Sequence, residues 1–153
     1  MPDAPVTAVT VPDNPSTLEG HDLVIIQAGH SDTDDTSVLH VPDLDLVVAG
    51  DVIYNGVHQF LVEAGHGGLD AWRRAIGIVF DLRPRRIVAG HENKGLDDDA
   101  TRSINETRQY LDTVDELLLQ HDSALGFFNA MLERFPERPN PGALWGGAVA
   151  LYS

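Results

Sequence analysis

Leu23-Val24-Ile25-Ile26-Gln27-Ala28-Gly29-His30-Ser31-Asp32-Thr33-Asp34-Asp35-Thr36-Ser37 is the stretch on which the fold turns. Its first four residues form a short, β-branched run that reads as a strand buried on both faces. Gly29-His30 ends the run and opens a polar loop. The same wording returns twice. Leu44–Ala49 reads as a strand closed by Gly50-Asp51, and Arg86-Ile87-Val88-Ala89 reads as one closed by Gly90-His91. Between them Ser37-Val38-Leu39-His40-Val41 reads as a further strand, stopped by the Pro42-Asp43 turn.

Around this frame lie helical patterns. Leu69, Trp72, Ile76 and Val79 recur at steps of three and four, which predicts an amphipathic helix ending before Pro84. Asp97-Asp98-Asp99 opens a longer helix, where negative charge suits the positive end of the macrodipole. Its apolar stripe runs through Ile104, Leu111, Val114, Leu117 and Leu118. Asp122 starts a segment holding Leu125, Phe128, Met131 and Phe135, and Asn140-Pro141 suits the N-cap and first position of a final short helix. The expectation is an α/β fold with strands at 23–28, 37–42, 45–50 and 86–90. Helices are expected at 69–82, 98–120 and 123–135. Residues 1–20, with Pro2, Pro5, Pro12 and Pro15, read as an extended arm with at best an edge strand around Val6–Val11. Residues 21–153 read as one domain, with no internal repeat or linker.

Composition narrows the class. The chain has 153 residues, 42% hydrophobic, which is enough for a core and against wholesale disorder. It has no cysteine, which excludes disulfides, thiolate zinc sites and cysteine nucleophiles. Ten basic against 24 acidic residues give a formal charge of −14, which repels phosphate backbones and argues against nucleic-acid partners. The apolar runs are too short to span a bilayer, and no charged segment followed by an apolar one opens the chain. A cytoplasmic domain with no membrane partner is expected.

The candidate chemistry lies where the strands end. His30, Asp51 and His91 each follow a glycine that lets the backbone turn, so all three can project from one edge of a sheet. Two imidazoles and a carboxylate form a nitrogen/oxygen donor set suited to Zn, Mn or Fe(II). The alternative is that His30 and His91 cap loops while Asp51 satisfies turn amides. Asp32 to Asp35 read as loop-shaping residues that hydrogen-bond to His30 rather than as a calcium loop, because Ser37 stands where such a loop needs glycine. His58 follows Asp51 closely and is a candidate substrate contact, with a surface-loop position as its alternative. His66, between Gly65 and Gly67, is a candidate for the mouth of the site, and Trp72 and Trp145 read as core.

Gly29–Ser37, Val47-Val48-Ala49-Gly50-Asp51-Val52-Ile53-Tyr54 and Val88-Ala89-Gly90-His91 together resemble the C-terminal half of a metallo-β-lactamase-fold hydrolase. The resemblance covers the chain from Leu18 onward. It implies half of an αββα sandwich, a mixed sheet packed with helices, with one or two zinc ions at the sheet rim. By that resemblance His30 is the third histidine of one metal position, Asp51 the carboxylate bridging two metals, and His91 the last ligand of the second. The activity implied is metal-dependent hydrolysis of a small-molecule substrate, a metal-bound hydroxide attacking an electrophilic carbon.

The sequence departs from that family in one large respect. The seven histidines, at 21, 30, 40, 58, 66, 91 and 121, include no pair separated by a single residue, so the His-x-His-x-Asp-His motif is missing. By the resemblance the chain corresponds to roughly the second half of the fold and opens at an internal methionine. Half a sandwich leaves one sheet face uncovered, so a homodimer or association with a chain carrying the first half is expected. The alternative reading is a non-catalytic fragment or assembly module that needs a partner to complete the fold. Zinc binding by this chain alone is expected to be weak, and to weaken further below about pH 6.5 as the imidazoles protonate.

Overall fold

The computed structural model describes residues 14–153, so the expected edge strand at Val6–Val11 lies outside the described residues. The elements run β1 (Ser16–Leu18), β2 (His21–Gly29), β3 (Thr36–Val41), β4 (Leu46–Gly50), α1 (Gly68–Asp81), β5 (Arg86–Ala89), α2 (Ala100–Leu118), α3 (Ala124–Arg134) and α4 (Pro141–Leu151). The sheet has the order β1-β2-β3-β4-β5. Neighbours are antiparallel except β4 and β5, which are parallel. The fold is α/β with a mixed sheet, as the alternation of strand and helix patterns predicts.

The residues expected to end the N-terminal arm are instead a strand. Ser16–Leu18 pairs with His21–Leu23 across Glu19-Gly20, both at positive φ (54° and 90°). Two left-handed central residues make a hairpin turn whose twist suits the flanking strands. Just before it, the Asn14 side chain donates to the Ile25 carbonyl and accepts from the Ile25 N–H, at 2.8 and 2.9 Å.

Helix α1 packs its Leu69, Trp72, Ala75, Ile76 and Val79 face against β2 and α2. The sheet residues buried in the same core are Val38, Val47, Ala49 and Ile87. Asp99 caps α2 by accepting from the Arg102 N–H at 2.7 Å, and Ser123 caps α3 from the Gly126 N–H. Arg73 clamps α1 to α2 through Asp112 and Asp115 at 3.0 and 2.6 Å.

Strand β2 is not buried on both faces, contrary to its reading as a doubly covered strand. Leu23 to Ile26 are all only partly buried. The register shows why. Ile25 pairs with Leu39, Leu39 with Val48, and Val48 with Val88, one apolar row on the sheet face away from α1. Val88 is 43% exposed and the other three are partly so. The helices cover the alternate residues. Trp145 is also less buried than a core reading implies, 43% exposed with its ring set edge-on against Phe128.

The segment between Asp51 and α1 has no regular structure, yet Val52, Ile53, Tyr54, Val57 and Leu61 are almost wholly buried. A buried loop must pair its backbone groups internally. The Thr107 hydroxyl accepts from the Tyr54 N–H and sits 3.1 Å from the Tyr54 carbonyl. The His58 N–H donates to the Pro139 carbonyl, the Arg138 guanidinium to the Val57 carbonyl, and the Trp72 indole to the Val52 carbonyl. This loop is the floor of the candidate site.

Candidate metal centre at the strand ends

Strands β2, β4 and β5 run in the same direction, because each antiparallel step through β3 reverses and restores it. Their C-terminal ends therefore share one edge of the sheet, and His30, Asp51 and His91 follow those ends. Gly29 and Gly50 take positive φ (80° and 52°), each at a register shift in its strand. A side chain in that conformation is disfavoured, so glycine is needed for the turn that aims the next residue. Gly90 serves differently. A Cβ there would sit 2.2 Å from Asp51 Oδ1, so its missing side chain leaves the space that the Asp51 carboxylate fills.

Asp51 Oδ1 lies 2.7 Å from His91 Nδ1. The face of the His91 ring stacks on Tyr54, with ring centroids 5.4 Å apart and planes 7° from parallel. The Tyr54 hydroxyl donates to Asp32 Oδ2 at 2.8 Å. Asp32 is itself buried, 4% exposed. Burial pushes the Asp32 carboxyl up, the nearby Asp51 charge adds to that, and the hydrogen bond from Tyr54 opposes it. Burial and the Asp32 charge push the Tyr54 phenol up, so it stays protonated as the donor.

His30 has a separate set of partners. Its Nδ1 lies 2.6 Å from Asp34 Oδ1, and its Nε2 3.1 Å from the Glu63 carbonyl oxygen. Donor atoms of His30, Asp34 and Glu63 all lie within 4.8 Å of one another. Gly68, at the start of α1, lets the Glu63 carbonyl and His30 approach, since a Cβ there would lie 2.4 Å from the one and 3.0 Å from His30 Nε2. The loop carboxylate expected to bond His30 is Asp34. Glu63 carried no sequence signal, being 33 residues away in a stretch with no period. Tyr54 carried one: a tyrosine in an apolar run needs a partner for its hydroxyl when buried.

The nitrogen and carboxylate donors at this edge fit a divalent ion of the zinc, manganese or iron(II) type. A carboxylate on His30 Nδ1 is the arrangement that leaves Nε2 facing an ion, which would there replace the Glu63 carbonyl. Asp51 and His91 are bonded to each other and stand outside the His30, Asp34 and Glu63 group, so the structure brings the three expected ligands to one edge but not into one cluster of donors.

His58 does not reach this edge. It is fully enclosed, with Nδ1 3.0 Å from the Tyr110 hydroxyl and Nε2 without a partner among the described residues. Neither a substrate contact nor a surface-loop position describes it, because the loop carrying it packs inward against α2 and the Pro139 turn. Burial and the neighbouring Arg138 charge push its imidazole down to about 4. His66 lies in the turn before α1 at φ 53° and lines a small cavity with Asp70, Asp115 and Leu151.

The architecture is similar to that of a beta-lactamase domain protein from Burkholderia ambifaria, with TM-score 0.63 and 14% identity over 96% of this chain and 46% of that one. It is similar to a metallo-beta-lactamase family protein from Thermus thermophilus, with TM-score 0.58 and 19% identity over 90% of this chain and 46% of that one. The chain has the architecture of part of a metallo-β-lactamase-like fold. The chain is similar as well to a stereoselective inverting sec-alkylsulfatase from Pseudomonas sp., with TM-score 0.58 and 15% identity over 97% of this chain and 26% of that one. The chain spans less than half the length of these structures. No family model and no curated protein matches the sequence. Among the described residues no helix is long and apolar enough to cross a membrane.

Proposed function

We propose that the chain carries one part of the centre of a metal-dependent hydrolase, with His30, Asp51 and His91 as its ligands. The observation behind this is the meeting of Asp51 and His91, at 2.7 Å, on the sheet edge that His30 shares, in part of a metallo-β-lactamase-like fold. Zinc held there would polarise the substrate and lower the pKa of a bound water. The residues of this chain have defined tasks around it. Asp34 fixes the His30 ring through Nδ1, Tyr54 backs the His91 ring, and Gly90 leaves room for the Asp51 carboxylate. The substrate is a small molecule with an electrophilic centre, tested first among lactams, esters and alkyl sulfates because two neighbours are named for lactamase and alkylsulfatase chemistry.

The chain acts with a partner in this reading. The row Ile25, Leu39, Val48 and Val88 is an apolar sheet face that another sheet can cover, from a second copy or from a chain supplying further histidines. The same row supports the second reading, an assembly module without catalysis. One experiment separates them. Zinc content and hydrolysis are measured for the chain alone and with a first-half chain from a metallo-β-lactamase-fold protein. Tight zinc and turnover in the pair, both lost in Asp51→Ala, are expected. Stable association without zinc or turnover favours the assembly module, and full turnover in Asp51→Ala refutes the ligand assignment.

A further inference from the structure

Three strand-end loops meet at the edge, and a single side chain touches groups belonging to all of them. Tyr54 stands three residues beyond Asp51, in the loop after β4. Its ring lies flat against His91, after β5, and its hydroxyl reaches Asp32, two residues beyond His30 in the loop after β2. We propose that Tyr54 is a positioning residue, and that the Asp32–Tyr54–His91 stack sets the three rim positions as one unit. This deepens the hydrolase reading and rests on it only for the identity of the ion.

The placement of Tyr54 is fixed from every side. Its backbone N–H is held by Thr107, and its ring meets Trp72 at 5.8 Å and 59°. Trp72 is anchored in turn by its indole N–H on the Val52 carbonyl, at 2.9 Å. Tyr54 is 1% exposed and so has no freedom to seek another partner. Asp32 is equally constrained. Burying a carboxylate is costly unless it is hydrogen-bonded, and Asp32 has the Tyr54 hydroxyl on Oδ2 and the Ser31 hydroxyl, at 3.3 Å, on Oδ1. An aromatic kept only to fill the core needs neither the buried carboxylate nor the parallel face on a partly exposed histidine. Phenylalanine would fill the same space, and the apolar loop around position 54 would accept it.

A stacked ring of this kind has two mechanical effects. It removes rotations of the His91 imidazole that would swing its nitrogens off the rim, and it leaves the in-plane edge free. The bond to Asp32 then makes a shift of the His30 loop a shift of the His91 platform. Loss of such support around a ligand histidine lowers metal affinity by roughly 10- to 100-fold in known sites.

The test uses the full chain and two probes, imidazole resonances in the metal-free protein and zinc affinity by chelator competition. Tyr54→Phe removes only the hydroxyl, Tyr54→Leu removes the ring, and Asp32→Asn keeps an acceptor for the hydroxyl where Asp32→Ala does not. Circular dichroism first establishes that each variant folds. The expected result is a ring-current shift on the His91 protons that persists in Tyr54→Phe and vanishes in Tyr54→Leu. Tyr54→Phe and Asp32→Ala are expected to shift the His30 resonances and weaken zinc about tenfold or more, with Asp32→Asn closer to wild type. Wild-type His30 and His91 resonances in both Tyr54→Phe and Asp32→Ala would overturn the proposal. Absence of zinc binding in every form, with the resonance pattern as expected, leaves the positioning unit standing and removes the metal reading instead.

Discussion

Asp51 and His91 lie 40 residues apart in the chain, and their side chains meet at 2.7 Å. Between them run the buried loop and all of α1. The contact exists because β4 and β5 are parallel neighbours, so the crossover through α1 returns the chain to the same edge from which it left. The Gly90 N–H donates to the Gly50 carbonyl at 2.8 Å and locks the two strand ends together directly beneath the pair.

Gly90→Ala tests this joint. The new methyl would sit 2.2 Å from Asp51 Oδ1 and 3.2 Å from the Gly50 backbone carbon, so the carboxylate must leave its place. The expected outcome is a folded protein with zinc affinity lowered about tenfold or more and an altered His91 resonance. Unchanged affinity in a chelator competition would show that the carboxylate has room elsewhere to bind.

His58 makes stability depend on acid. Its folded value is about 4, below the ordinary 6.5, so the unfolded chain binds a proton first as pH falls. Stability is therefore full above about pH 6.5, declines below it, and levels off below about pH 4, the total loss being about 3 kcal/mol. Urea midpoints at pH 7 and pH 4.5 measure it. In His58→Gln, which has no titrating group there, the difference between the two midpoints should shrink; an equal difference would place the acid sensitivity elsewhere.

Arg138 closes the same region from the other side. Its guanidinium lies 4.9 Å from the centre of the Tyr110 ring and 4.7 Å from that of Phe135, and donates to the Val57 carbonyl at 3.0 Å. Arg138→Ala leaves that carbonyl unpaired and two ring faces bare, for an expected loss of about 3 kcal/mol. Lysine is not expected to restore it, since a compact ammonium cannot meet both rings and the carbonyl as the planar guanidinium does. Chemical denaturation of the three proteins decides; recovery by lysine would reduce the role to charge.

The apolar row on the outer sheet face predicts association. The chain at micromolar concentration should sediment as a dimer or bind a dye that reports apolar surface, and Val88→Glu, at the most exposed position of the row, should abolish both. A monomer with no dye binding in the unsubstituted chain would remove the need for a partner.

The strand ends and the helices were legible in the sequence because their causes are local. Glycine before His30 and Asp51 marks a left-handed turn whatever the rest of the chain does, and the stripe Leu69, Trp72, Ile76 and Val79 makes one helix face apolar. Period two shows that a strand has two faces but not which one is covered. Val24 and Ile26 could as well have faced outward as Ile25, and only the docking of α1 settled it.

What tertiary structure alone decided lies in the loop after Asp51. A run such as Val52-Ile53-Tyr54-Asn55-Gly56-Val57-His58 has no period, so nothing in it distinguishes a surface loop from a buried floor. Its burial depends on Thr107 and Tyr110 of α2, Trp72 of α1 and the turn at Arg138-Pro139, each brought there by helix packing. The pairings of Tyr54 with Asp32 and of His30 with Glu63 are of that kind. A turn is set by the torsions of a few adjacent residues, whereas a contact across the chain exists only once the intervening elements have packed.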